Sequence, residues 1–316
     1  MIKHSSLLLV AIVLVACANR APVNTEGIVL GVIRTWMNIP DTYVIDTKGS
    51  GSIDAQLPGN LDGIPEWSPD GKWIISSSQY EVGRPEDSAI YLSRSDGSQR
   101  QVVIHNTGGS FDPSWSPDGT RITYYARDNQ PGIYLLDMQC FESPEKKCNS
   151  SPIFLASGDS SPDWSPDGKK IVYEKKGNIF VINSDGGKQP LNLSSDMKYC
   201  YDPNWSPDGK RILFSCFQTD HHDIFVVKAD GSELINLTRG VGSNTKPSWS
   251  PDGNKIAFIS NRGGLGQIIG IDDTVRSNAI FVMDYDGNNV VRLSLRDDER
   301  VLWFTWLPRN FSVASP

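Results

Sequence analysis

With 316 residues, 38% of them hydrophobic and 21% charged, the chain has an ordinary globular composition and enough length for a substantial core. A formal net charge of −7 leaves no basic footprint, which excludes nucleic acid as an expected partner. Its 28 Gly and 20 Pro fall mostly at recurring turns, a pattern of many short strands and few helices.

The chain opens with Lys3 and the apolar run Leu7–Val15, too short to stay in a bilayer as a spanning helix. It reads as an export signal. Its last four residues, Leu14-Val15-Ala16-Cys17, resemble the lipobox of bacterial lipoproteins. The resemblance implies cleavage before Cys17 and lipid on its thiol, with 1–16 a signal peptide and 17–27 a lipidated tether. The ten residues after Cys17 reach at most about 33 Å when extended. A plain secretory signal that contains a cysteine is the alternative. The expected location is the periplasmic or extracellular face of a bacterial membrane, which becomes a partner through the N-terminal lipid.

Three apolar segments follow, Ile28–Ile33, Tyr43–Asp46 and Ile53–Leu57. The pentapeptide Trp-Ser-Pro-Asp-Gly then begins at Trp67 and returns at Trp115, Trp164, Trp205 and Trp249. The intervals of 48, 49, 41 and 44 residues match four short strands per propeller blade. Each residue has a mechanical reason. Pro presets φ for the first corner of a turn, Asp bonds backbone donors and Gly accepts a φ that others refuse. The Trp offers a large apolar face to a neighbouring blade, with one N–H to satisfy.

If each Trp ends a strand A, second strands follow at Trp73–Ser76, Ile122–Tyr125, Ile171–Glu174, Ile212–Ser215 and Ile256–Ile259. Third strands follow at Ile90–Leu92, Ile133–Leu136, Ile179–Ile182, Ile224–Val227 and Ile280–Met283, rich in β-branched and aromatic residues. Most meet an Asp-Gly turn, after which fourth strands fall at Val102–Ile104, Ile153–Leu155, Pro190–Leu193, Leu234–Leu237 and Val290–Leu293. The three segments before Trp67 then match strands B, C and D without an A. Val301–Leu307, with Trp306 in the tryptophan place, supplies the missing A. The expected fold is all-β, a six-bladed propeller over 28–316 whose ring closes by joining the C-terminal strand A to N-terminal strands B to D.

The repeat Pro-x-Trp-Ser-Pro-Asp-Gly-x-x-Ile, followed by Ile-Phe-Val and Asp-Gly, resembles the TolB-type propeller repeat of bacterial envelope proteins. Ser260-Asn-Arg-Gly-Gly264 resembles the segment that family places between strands B and C. The resemblance implies docking of envelope proteins. The α/β domain that precedes the propeller in TolB itself has no counterpart here.

Setting Cys17 aside, four cysteines suit an oxidising compartment. Cys200 and Cys216 are symmetric about residue 208, so a regular hairpin places them opposite one another. Cys140 and Cys148 bracket a polar loop that a bridge would clip. Paired zinc sites are the rival reading, with no Cys-x-x-Cys spacing or adjacent His to favour it.

Chemistry is expected where the repeat varies. The A–B and C–D turns are uniform, whereas the B–C and D–A loops share the other face and differ from blade to blade. Candidate binding residues there are His105, Arg84–Asp87, Tyr199 with Tyr201, His221 and His222 within Asp220–Asp223, and Arg262 with the insertion 263–278. Asp112 and Asp202 either line the mouth of the central channel or serve as turn residues ahead of the inner strands. Consecutive histidines seldom converge on one metal, so neither a metal nor a cofactor is expected. No nucleophile elbow, phosphate loop or dinucleotide fingerprint occurs, and no catalytic residue is assigned. Two readings remain: a non-enzymatic propeller that docks envelope proteins, and a saccharide-binding or saccharide-cleaving propeller using His105, His221, His222 and Arg262.

Overall fold

The computed structural model describes residues 28–34, 40–46, 52–54, 65–77, 88–139, 141, 151–187, 189–262, 278–293 and 300–306. Four expectations lie outside these residues: the leader with Cys17, the Cys140–Cys148 bridge, the Arg84–Asp87 segment and most of the 263–278 insertion.

Six four-stranded antiparallel sheets make up the described chain. Blade 1 holds Glu66–Trp67, Trp73–Ser77, Ala89–Arg94 and Gln101–His105 as strands A to D. Blade 2 holds Ser110–Trp115, Arg121–Ala126, Gly132–Asp137 and Ile153–Ala156. Blade 3 holds Ser160–Trp164, Lys170–Lys175, Asn178–Asn183 and Leu191–Asn192. Blade 4 holds Cys200–Trp205, Arg211–Phe217, His222–Lys228 and Ile235–Asn236. Blade 5 holds Asn244–Trp249, Lys255–Ser260, Ala279–Asp284 and Val291–Arg292. Blade 6 is made from both ends of the chain, with Arg300–Trp306 paired to Ile28–Arg34 so that Val29 faces Trp306. Pro40–Asp46 and Ser52–Asp54 complete it.

Each A–B turn is held by one hydroxyl and one carboxylate. Ser68 Oγ donates to Asp70 Oδ1 at 2.6 Å and accepts the Trp73 N–H at 3.0 Å, while Asp70 Oδ1 also accepts the Lys72 N–H. The same trio recurs at Ser116/Asp118, Ser165/Asp167, Ser206/Asp208 and Ser250/Asp252. The serine bonds hold the Asp118 and Asp167 carboxyls below the usual carboxylate range. Gly119 sits at φ +69°, and a Cβ there would lie 3.6 Å from Pro69 of the preceding blade. The turns therefore stack around the ring as well as closing their own hairpins.

The core lies between blades rather than within them. Ile75 and Leu92 of blade 1 pack with Trp115 and Tyr124 of blade 2. Ile133 and Leu135 of blade 2 meet Trp164 and Tyr173 of blade 3, and Val172 of blade 3 meets Trp205 and Phe214 of blade 4. Leu213 of blade 4 meets Trp249 and Phe258 of blade 5, which in turn reaches Val301 and Phe304 of blade 6. One aromatic pair recurs directly across strands B and C: Tyr124/Tyr134, Tyr173/Phe180, Phe214/Phe225 and Phe258/Phe281, with centroids 5.8–6.2 Å apart. No blade buries both faces alone, so each stabilises the next.

The outer strands of blades 3, 4 and 5 are two residues long, shorter than the alternation predicts. Leu193, Leu237 and Leu293 fold inward, their N–H groups bonding the carbonyls of Ile179, Ile224 and Ile280. Asn192 and Asn236 start the departure by accepting the N–H two residues on. In blades 3 and 4 an Asx turn thus ends the strand just past this last ladder bond.

Candidate functional site

Successive strands A contact one another and form the inner wall. Strand A carries a bulge in each of blades 2 to 5, at Phe111/Ser114, Ser160/Asp163, Tyr201/Asn204 and Thr245/Ser248. The bulge places Asp112, Ser161, Asp202 and Lys246 at φ +48° to +54°. Asp112 and Asp202 are therefore part of the inner strands rather than turn residues ahead of them. Their carboxylates accept the main-chain N–H of Ser161 and Lys246 in the next blade, both at 3.2 Å. Lys246 Nζ returns to Asp202 Oδ1 at 3.6 Å. This spends oxygen lone pairs of both carboxylates on joining blades.

A second set of latches uses the residue before each Trp. Glu66 accepts the Trp115 N–H at 2.9 Å, Asp163 accepts the Trp205 N–H at 2.6 Å, and Asn204 accepts the Trp249 N–H at 2.9 Å. Where that residue is serine, the link changes. Trp164 Nε1–H donates to the Ser114 carbonyl at 3.3 Å, and Trp306 Nε1–H to the Ser248 carbonyl at 3.2 Å. The Nε1–H groups of Trp115, Trp205 and Trp249 are buried without a hydrogen-bond partner among the described residues. A long polar side chain takes the next blade's main chain, whereas serine leaves its own carbonyl open to the next indole.

Burial pushes Glu66 up to about 8 and Asp163 up to about 7, although each is only half-buried by surface area. Both values lie above the ordinary carboxylate range, so the folded chain keeps protons that the unfolded chain releases between about pH 4 and pH 8. Stability is therefore expected to fall as pH rises through that window. Glu66→Gln and Asp163→Asn should flatten the slope, each adding about 1–2 kcal/mol at pH 8, after discounting for residual solvent, and little at pH 4. Asn204 is the neutral form of this latch already present in blade 4. Urea unfolding of wild type and both variants at the two pH values checks the expectation.

At the opposite end of strand A, one position joins it to the end of strand B, and each blade fills it differently. The pairs are Ser110/Ala126, Ser160/Glu174, Cys200/Cys216 and Asn244/Ser260. Ser160 Oγ donates to the Glu174 carboxylate, and Ser260 Oγ donates to Asn244 Oδ1 at 2.8 Å. Burial pushes Glu174 up to about 7, helped by the nearby charges of Asp159, Asp202 and Asp112. Cys200 and Cys216 form a disulfide between directly opposed residues, 4.0 Å apart at Cα.

The disulfide underlies an open groove of about 700 Å³ on the variable face of blade 4. One wall is Asp196–Tyr199, just ahead of Cys200, and the other is Phe217–Thr219, just after Cys216. Tyr199 stands at φ +53° with 59% of its surface exposed. Gly177 makes this possible, because a Cβ there would lie 3.2 Å from the Tyr199 backbone. The Cys200 N–H bonds the Gly177 carbonyl and the Phe217 N–H bonds the Tyr199 carbonyl. Tyr199 and Phe217 meet edge to face, centroids 6.4 Å apart, and Phe217 meets His222 at 5.2 Å.

His221 closes the groove's end, with Nδ1 2.6 Å from Asp220 and Nε2 3.4 Å from Asp223. The Asp220 bond raises its pKa above the ordinary imidazole value. Asp223 is buried and accepts from Thr238 Oγ1, Asn236 Nδ2 and the Gly240 N–H at 2.7–2.9 Å. His222 turns away toward Ser243, and burial lowers its pKa. Arg262 is also committed, donating to Asn244 Oδ1 and Ser260 Oγ and lying over Phe258. His105 ends the outer strand of blade 1, opposite Ala89. Of the residues expected from sequence, Tyr199 and His221 thus share one groove, while His105 and Arg262 belong to other blades. Phe217, Glu66 and Asp163 were not anticipated. For the latter two the signal was present in the unrepeated residue before each Trp. No group of three or more His, Cys, Asp or Glu placed to hold a metal occurs among the described residues.

A family model described as the TolB beta propeller domain matches residues 60–194 and 155–305. A TolB homolog of Chlorobium luteolum is 32% identical over 104 residues, which cover 32% of this chain and 20% of that protein. The matched segment thus spans a fifth of that relative's length. The crystal structure of TolB from Acinetobacter baumannii superposes with a TM-score of 0.68 at 21% identity, covering 91% of this chain and 68% of that one. A putative TolB from Agrobacterium tumefaciens gives 0.59 at 22% identity, covering 89% and 98%. At these identities the two structures speak to the fold.

Proposed function

The chain belongs to the TolB beta propeller domain family, and from that premise we propose that it is a non-enzymatic docking propeller of the bacterial cell envelope, held at a membrane by lipid on Cys17. One observation carries the docking reading: the contrast between the two faces. The turn face repeats one Ser/Asp/Gly device in every full blade, and its polar groups are spent on the turns. The other face presents unrepeated side chains around a groove whose walls a disulfide joins. Unrepeated side chains on a rigid repeated scaffold are how propellers acquire partners. The anchor is supported by Leu14-Val15-Ala16-Cys17 at the end of an export-like leader.

Two measurements on the full chain in its own envelope test this. A photo-crosslinking residue at Thr219, on the groove face, is expected to capture a discrete protein, and the same residue at Lys210, on the turn face, is not. Equal capture from both positions, or none from either, overturns docking through this face. Cys17→Ser is expected to move the protein from the membrane fraction to the soluble fraction, and unchanged membrane retention overturns the anchor.

A further inference from the structure

We propose that the blade 4 groove receives an arginine side chain of the partner, its guanidinium stacked on Tyr199 and Phe217. This rests on the docking reading above and gives it a chemistry. In blade 2, Arg127 follows strand B and lies 5.9 Å over Phe111; in blade 3, Lys175 ends strand B, 5.9 Å over Phe180. In blade 5, Arg262 follows strand B and lies 4.9 Å over Phe258 and 5.6 Å over Phe281. Each of these blades thus covers an aromatic ring of its own with its own cation. Blade 4 has Phe217 and Gln218 in those places. It lacks the cation, and Phe217 in that place forms with Tyr199 an aromatic surface on the groove wall.

Three further observations fit a visiting cation. Tyr199 is the only aromatic residue among the described non-glycine residues with positive φ, a conformation that persists only where its surroundings enforce it. Here hydrogen bonds at Cys200 and Phe217 and the adjoining disulfide enforce it, and the result is an exposed ring. Around the groove the carboxylates of Asp196, Asp220 and Asp223 outnumber Lys198 and the His221 imidazole. Arginine is favoured over lysine because a planar guanidinium stacks on rings. The closest cation–ring pairs among the described residues are themselves arginines, Arg94 at 4.0 Å from Trp73 and Arg100 at 4.1 Å from Tyr91.

The test uses the full chain and two probes, a Gly-Arg-Gly-Arg-Gly peptide and the same peptide with citrulline, which keeps the shape and removes the charge. Calorimetry or NMR titration is expected to show the arginine peptide binding at least about fivefold more tightly than the citrulline peptide. Tyr199→Gly keeps the backbone conformation and removes one ring, and Phe217→Leu keeps an apolar wall. Each is expected to weaken the arginine peptide about threefold or more with an unchanged melting temperature. Phe217→Arg supplies the cation that blade 4 lacks and should abolish binding. Equal binding of both peptides, no binding of either, or indifference to all three substitutions overturns the proposal. The Thr219 crosslink repeated in the Phe217→Arg chain separates the two readings. An undiminished adduct leaves docking standing and removes the arginine site, whereas absence of any adduct in the wild type removes docking itself.

Discussion

Trp164→Ala is expected to destabilise the propeller by about 3–5 kcal/mol, because it empties the seam between blades 2 and 3 and removes a blade-to-blade hydrogen bond. The indole is 4% exposed and packs with Ile133 and Leu135 of blade 2. Arg121 of blade 2 lies over its ring at 4.9 Å, and its Nε1–H is spent on the Ser114 carbonyl. Since each blade depends on its neighbours, the loss should appear as lower overall stability in chemical denaturation rather than as one frayed strand. A milder pair of substitutions separates the hydrogen bond from the cavity. Trp164→Phe keeps most of the volume but loses the indole bond to the Ser114 carbonyl, so it should cost about 1–2 kcal/mol more than Trp205→Phe, where the lost N–H had no partner among the described residues. Equal costs for the two phenylalanine variants refute the idea of two alternative latches.

Asp223→Ala is the second large expectation, about 3–5 kcal/mol, with its damage concentrated in blade 4. The carboxylate is 2% exposed and gathers the Thr238 hydroxyl, the Asn236 amide, the Gly240 N–H and the His221 ring. Removing it strands the buried Thr238 hydroxyl, takes a shared acceptor from Asn236, and releases both the Gly240 loop and His221 at the end of the groove. Burial alone raises this carboxyl's pKa, but the bonds from Thr238 and Asn236 outweigh it and hold it below the usual range. Its contribution is therefore present above about pH 4 and is lost as pH falls through the folded value. That is the opposite slope to Glu66 and Asp163. Hydrogen exchange should show new opening at 236–241 while the A–B turns of blades 2 and 3 stay protected. Uniform loss of protection across all blades contradicts this local role.

Local chemistry settled by sequence includes the pentapeptide turns, since Ser, Pro, Asp and Gly act within five residues of one another. Strand alternation does the same for the ladders, and the symmetry of Cys200 and Cys216 about residue 208 follows from hairpin register. The division of blade 6 between the two ends was also legible, because a counted strand was missing at one end and present at the other. The exact end of the outer strands was less legible, since it is set by Asn192 and Asn236 accepting the N–H two residues on, just past the ladder bonds of Leu193 and Leu237. What tertiary structure alone decided is which residues meet across blades. Glu66 and Trp115, or Asp163 and Trp205, are 49 and 42 residues apart, and nothing periodic marks a carboxylate as a latch rather than a solvated charge. The groove on blade 4 is of the same kind. Its walls come from two loops of different sequence, brought together by a disulfide and by a glycine whose missing Cβ lets Tyr199 turn outward. Turns and alternation are short-range and repeat with the chain, whereas seams and grooves depend on how neighbouring blades and loops fill space.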